Sequence, residues 1–332
     1  MSRRRLAVGA VVAVLLLVLF PTDAHAWTPG THIFLGETVL GNLKLLPPLV
    51  ADLLHAFPYD FLYGSIAPDT SLAKHYVPPG RHSHYWNVGQ ETFDFAEADA
   101  LRAFGLGYLA HLAADTVAHN YFVPRQLLLT SSSKSMGHSY WELRAETHLT
   151  DRFSRKARDL IQMDHTAADR HLGRIISPTI FSVETNRRLF RGMVHLAHTR
   201  RWQQVIKSAR ERSRWALSHD DVERHLSLSY DLTMEMLHEV AALAGHARRL
   251  DPSGAEALRR VKQWRRRALL GGGLIEPERL LTEAEERYPL PSTDLGFWRS
   301  SFIERPWADL LAGGPDSLAI TLPSEESDHG EG

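Results

Sequence analysis

The sequence predicts an all-α protein, and three observations carry that expectation. Apolar residues recur with a helical period near residues 33–46, 95–122, 138–162, 187–217 and 222–248. Proline and glycine clusters separate those segments. No run along the 332 residues alternates apolar and polar side chains in the manner of a half-buried strand.

The first 26 residues have the three parts of an export signal. Arg3, Arg4 and Arg5 supply the charge, Leu6 to Phe20 the apolar stretch, and Ala24-His25-Ala26 the small residues of a cleavage site. The apolar stretch is shorter than the roughly 20 residues that span a bilayer, so a cleaved signal is expected rather than an anchor. Ser2-Arg3-Arg4 leaves the export route open between the general and the twin-arginine pathways. The mature protein, periplasmic or secreted, would then begin at Trp27.

Past the cut, Pro47-Pro48 marks a helix start or joint, and Pro78-Pro79-Gly80 a turn just ahead of His82 and His84. Residues 27–250 read as one helical domain, and 251–332 as an extension of different character. A short basic helix is expected at 255–270, with Leu258, Val261, Trp264 and Ala268 on one face and Gly271-Gly272-Gly273 closing it. Such a helix either touches an anionic membrane surface or docks on the domain with its arginines in solvent, and the second reading is favoured. The polar, acidic last dozen residues read as a disordered tail.

Composition narrows the chemistry. The chain has no cysteine, so any metal must be held by imidazole, carboxylate and backbone atoms. With 38 basic and 39 acidic side chains it is nearly neutral, which argues against gripping long nucleic acids through charge. Histidine is the outlier, with 19 in the chain, and 10 of them lie from His25 to His148. That clustering favours metal binding over scattered structural use.

Three local patterns stand out in that stretch. His111, Asp115 and His119 are four apart within a strongly helical segment, so they project over two turns of one face. Their neighbours Leu109, Ala110, Leu112, Ala113, Val117 and Ala118 are apolar, and buried imidazoles and carboxylates need partners. His138 and Glu142 repeat the four-residue spacing, with Glu146 a turn further; alone, such a pair is as often a surface ion pair. The third pattern is Asp69, after the helix-breaking Pro68, followed by His82 and His84, either of which could join a central site. His75 is a weaker candidate.

In order, Trp27, His32, Asp69, His84, His111, Asp115, His119, His138 and Glu142 resemble the ligand series of zinc-dependent phospholipase C, which shares a helical trinuclear-zinc fold with the single-strand-specific zinc nucleases. The motifs cover residues 27–150. The resemblance implies three zinc ions: one on Asp69, His84, His111 and Asp115; a second on Asp115, His32 and the amine and carbonyl of Trp27; a third on His119, His138 and Glu142. His119 follows Asp115 by four residues where those families usually leave six. The Trp27-to-His32 spacing is that of the nucleases.

The reaction so implied is hydrolysis of a phosphodiester through metal-bound hydroxide, releasing a phosphorylated head group from a phospholipid, with Asp69 as a ligand that also orients or deprotonates water. Two alternatives remain. A nuclease would need aromatic platforms for bases, for which Tyr85, Trp86, Tyr140 and Trp141 could serve, although each is as plausibly packing. A non-catalytic exported metal-binding protein would keep the cluster for stability. The expected partners are a phospholipid and, transiently, a membrane surface, with no stable nucleic-acid complex.

Overall fold

The computed structural model describes residues 27–71, 77–78, 80–130, 137–177, 182–197, 204, 215–240, 245–270 and 277–304. The expected export signal, His75, the glycine triplet and the acidic tail lie outside them. Among the described residues the only regular structure is helical: α1 (Pro29–Leu40), α2 (Pro48–Ala56), α3 (Pro58–Gly64), α4 (Trp86–Asp94), α5 (Asp99–Val117), α6 (Val123–Leu129) and α7 (His138–Glu146). There follow α8 (Asp151–Ile161), α9 (Thr166–Ile175), α10 (Val183–Ala197), α11 (His219–His238), α12 (Ala255–Leu270), α13 (Pro277–Arg287) and the single turn α14 (Phe297–Ser300).

Helix α5 is the axis. Every residue from Ala103 to Val117 is buried, and a helix apolar on all sides must be covered on all sides. Helices α3, α4 and α11 supply that cover. Two glycines let α3 and α5 meet backbone to backbone. A Cβ on Gly107 would fall 2.0 Å from the Phe61 carbonyl oxygen, and one on Gly64 would fall 2.1 Å from that of Phe104. On the next flank Gly105 lies against Phe93, where a Cβ would come 2.7 Å from Cα. The spine thus carries His111 and, one turn on, Asp115 into the middle of the molecule while its glycines keep the neighbours close.

The expected segments hold their positions, with four physical adjustments. The segment 95–122 is regular only to Val117; Ala118–Phe122 form a π turn ahead of α6. Pro124 cannot donate to the Asn120 carbonyl, and its ring would crowd that oxygen in a regular helix, so a wider turn relieves the conflict. The segment 138–162 is two helices, not one. Thr147 closes α7 with its hydroxyl on the Arg144 carbonyl (2.7 Å), and Thr150 turns extended, ψ 152°, to start α8. Helix α10 begins at Val183 and is described to Ala197, while most of the rest of 187–217 lies outside the described residues. Helix α11 starts at His219, where Ser218 Oγ accepts the Asp221 amide hydrogen (3.1 Å).

Residues 251–304 pack on the same core as the rest. Leu258 and Val261 of α12 are buried, and α12 and α13 both lie against α6. Tyr288 donates to the Ala257 carbonyl (3.3 Å), and Asp231 of α11 accepts the Trp298 amide hydrogen (2.6 Å). Arg259, Arg260 and Arg266 remain in solvent, as a docked amphipathic helix requires.

The Gly107–Gly64 contact gives a direct check. Gly107→Ala should cost about 1–3 kcal/mol or more, because the intruding methyl meets backbone rather than a movable side chain. Thermal unfolding should show Tm lower by several degrees; an unchanged Tm would contradict the backbone contact.

Candidate metal centre

Nine side chains singled out in the sequence come from six separate pieces of chain. Trp27 precedes α1 and His32 sits in it; Asp69 lies in a 3-10 turn, Ala67–Thr70, that Pro68 initiates. His84 ends the turn before α4, His111 and Asp115 are on α5, His119 is in the π turn, and His138 and Glu142 are on α7. Eight of the nine fall into three groups able to hold a metal: His32, His111 and Asp115; Asp69, His84 and His111; His119, His138 and Glu142.

Asp115 is the junction. Its Oδ1 lies 3.2 Å from His32 Nε2, while its Oδ2 lies 3.1 Å from both His84 Nε2 and His111 Nε2. Asp69 Oδ1 stands 3.4 Å from His84 Nε2 and 3.9 Å from His111 Nε2. The two ring nitrogens of His84 and His111 are themselves 3.2 Å apart, and the rings of His32 and His111 stack at 3.9 Å. Four-coordinate zinc with ligands about 2.0–2.1 Å away places neighbouring ligand atoms roughly 3.3–3.4 Å apart, so this spacing suits the ion. In the third group His138 Nε2 lies 2.6 Å from Glu142 Oε1, and the His119 and His138 rings meet edge to face at 5.2 Å.

Local structure presents the right ring nitrogen in each case that can be read. The Ser65 carbonyl accepts from His111 Nδ1 (2.9 Å), so Nε2 is the nitrogen left for the cluster. The Pro252 carbonyl does the same for His119 Nδ1 (2.5 Å). His119 Nε2 is then buried with no hydrogen-bond partner, an orphan that a cation would satisfy. The Ser83 hydroxyl is 3.1 Å from His84 Nδ1, and Tyr108 steadies that turn by donating to the Ser83 carbonyl (2.7 Å).

Burial and the neighbouring charges act against each other in the cluster. Asp69 and Asp115 are fully buried, and the imidazoles of His32, His84 and His111 lie against Asp115. Burial opposes ionisation of Asp115, yet His111, His32 and His84 hold its carboxyl well below the usual range. His32 is pushed down by burial and by His111. Burial takes His119 down to about 3, which favours its neutral ring. Burial opposes the charged form of His111 too, yet Asp115 and Asp69 hold its imidazole above the usual range, so the buried carboxylate is balanced by imidazole or by a bound cation. The residues present therefore fit zinc, through hard carboxylates and borderline imidazoles with no thiolate.

Of His82 and His84, it is His84 that lies in a group able to hold a metal. His82 instead accepts the His84 amide hydrogen on Nδ1 (3.0 Å) and stacks near Tyr85. Trp27 is fully buried, its indole donating to Ser229 Oγ (3.1 Å) and stacking on Phe122 (5.0 Å). Glu146 packs beside the first turn of α1: Ser154 donates to it (2.5 Å), and a Cβ on Gly30 would meet its carboxylate at 2.9 Å. Sequence reading missed Ser229, the Ser65 and Pro252 carbonyls, and Asn120. Backbone acceptors leave no trace in side-chain spacing, and Pro252 sits beyond the expected domain limit; only Asp251-Pro252-Ser253-Gly254, a run of turn-forming residues, marks the place.

Residues 31–182 match the family model described as zinc dependent phospholipase C. That span takes in every candidate ligand except Trp27. No curated protein and no solved structure matches the chain.

Metal removal should expose the buried charge. Chelation of the metal-loaded protein should lower Tm by several degrees, and zinc should restore it, because a ligand of the folded state alone stabilises that state. A Tm indifferent to chelator would show that the carboxylates are balanced without metal.

Proposed function

We infer that the chain, a member of the zinc-dependent phospholipase C family over residues 31–182, is an exported hydrolase that cleaves the phosphodiester of a phospholipid head group. The observation that carries this reading is the coincidence of three ligand groups with the matched segment. Zinc, when bound, supplies Lewis-acid charge and lowers the pKa of water towards about 7. The remaining work falls to the chain. His32, His84, His111 and Asp115 fix the deep part of the site, and full burial keeps bulk water from screening it. Asp69, held by the rigid 3-10 turn, is proposed to orient the attacking water and take its proton. His138, 9% exposed, is the least buried of the metal-type residues, so the His119, His138 and Glu142 group is the proposed point of access for a phosphate.

The nuclease reading is weaker because its proposed aromatic platforms have other duties. Trp141 is 1% exposed and part of the core. Trp86 donates to the Leu250 carbonyl (2.9 Å) and has the Arg248 guanidinium over its ring (4.5 Å). For the membrane, the exposed basic residues of α12, among them Arg259, Lys262 and Arg266, are the proposed contact, transient and salt-sensitive. No described helix is long and apolar enough to cross a bilayer.

Purified mature protein should hold one zinc for each of the three groups and release phosphocholine from phosphatidylcholine, with chelator abolishing the activity. Cleavage of single-stranded DNA without lipid hydrolysis would move the function to nuclease; a preparation with no bound zinc would sink both enzyme readings. Export and maturation are proposed to be one event, the cut before Trp27 freeing an amine for the metal. One extra residue ahead of Trp27 should therefore lower zinc content and rate together, and a variant unchanged in both would refute that role.

A further inference from the structure

The His119 side chain is held from outside the family-matched segment. We propose that the loop Asp251–Gly254 is a positioning clamp for the third ligand group, fixing the His119 ring so that Nε2 is presented to a metal. The proposal rests on the reading that His119, His138 and Glu142 hold zinc.

Three contacts define the clamp. The Pro252 carbonyl lies 2.5 Å from His119 Nδ1. A carbonyl can only accept, so Nδ1 carries the hydrogen and a neutral ring keeps its lone pair on Nε2. One residue on, Asn120 Nδ2 donates to the Asp251 carbonyl (2.8 Å) as well as to that of Thr116 (2.8 Å), tying the loop to the π turn. Gly254 then closes on His119 itself: a Cβ there would come 2.4 Å from His119 Cβ and 2.6 Å from its carbonyl oxygen. With φ at +56°, Gly254 also occupies the left-handed region, so shape and backbone both demand glycine.

The loop is rigid in its own right. The Asp251 carboxylate accepts from the Ser253 amide (2.9 Å), the Ser253 hydroxyl and the Ala255 amide (3.2 Å), and the Gly254 carbonyl starts α12 by accepting from the Leu258 amide (2.9 Å). Leu258 and Val261 anchor that helix in the core. A clamp is needed because His119 belongs to the π turn, where the regular i−4 ladder no longer sets the direction of the side chain. A ligand placed four residues after Asp115 thereby reaches the third group.

The test compares full-length mature Asp251→Ala, Asp251→Asn and Gly254→Ala with wild type, titrating zinc in a buffered series while circular dichroism and Tm report the fold. In Asp251→Ala the weakest-held zinc should lose about 10–100-fold in affinity, the cost typical of removing outer support from a metal ligand, with the other zinc retained. Asp251→Asn, which keeps the acceptor oxygen, should restore it, and Gly254→Ala should lose it outright. Wild-type zinc affinity in both Asp251→Ala and Gly254→Ala would overturn the clamp while leaving the metal reading intact. Loss of the fold or of all zinc in Asp251→Ala would make the loop a general support and also overturn it. A wild type without the third zinc would remove both the reading and the inference.

Discussion

Two carboxylates buried in a helical core set the terms for this molecule. Asp69 and Asp115 have no exposed surface, and the groups that meet Asp115 are imidazoles. Placing such charges away from water costs several kcal/mol each, more than any single packing contact returns. Around Asp115 that cost is met by imidazole nitrogens, which are spaced as zinc ligands would be. The apolar surround of α5 and the glycine contacts with α3 and α4 follow from the same requirement, since they hold the charges in a dry, fixed frame.

The centre is assembled from distant pieces, and its accuracy depends on what stands behind the ligands. Backbone carbonyls of Ser65 and Pro252 select the ring nitrogens of His111 and His119, and Tyr108 steadies the turn that carries His84. The last described part of the chain takes part as well. Through the Pro252 carbonyl, and through Trp298 on Asp231, residues 251–304 join the fold that surrounds the centre. Leu258, Val261, Leu280, Ala284 and Trp298 of that stretch lie in the same hydrophobic core.

Much of this was legible in the sequence for physical reasons. Periodicity marked the helices because burial of one face is what forms them, and the four-residue spacing put His111 and Asp115 on a common side of α5, with His119 in the π turn beyond it. The choice of His84 over His82 was not legible, because it depends on how a turn without helical period folds. Nor was the π turn, although Pro124 offers a reason for it in hindsight. The break at Thr147–Thr150 was hidden because threonine is tolerated inside helices and terminates one only when its hydroxyl bonds back to the chain. In sequence Trp141 could be either a base platform or packing, and its burial makes it core.

The most direct measurement is anomalous diffraction at the zinc edge from crystals of the mature protein. Three peaks are expected, two flanking Asp115 and one among His119, His138 and Glu142. A map with no peak at Asp115, or with zinc only at surface histidines, would contradict the claim that the buried carboxylates exist to hold metal.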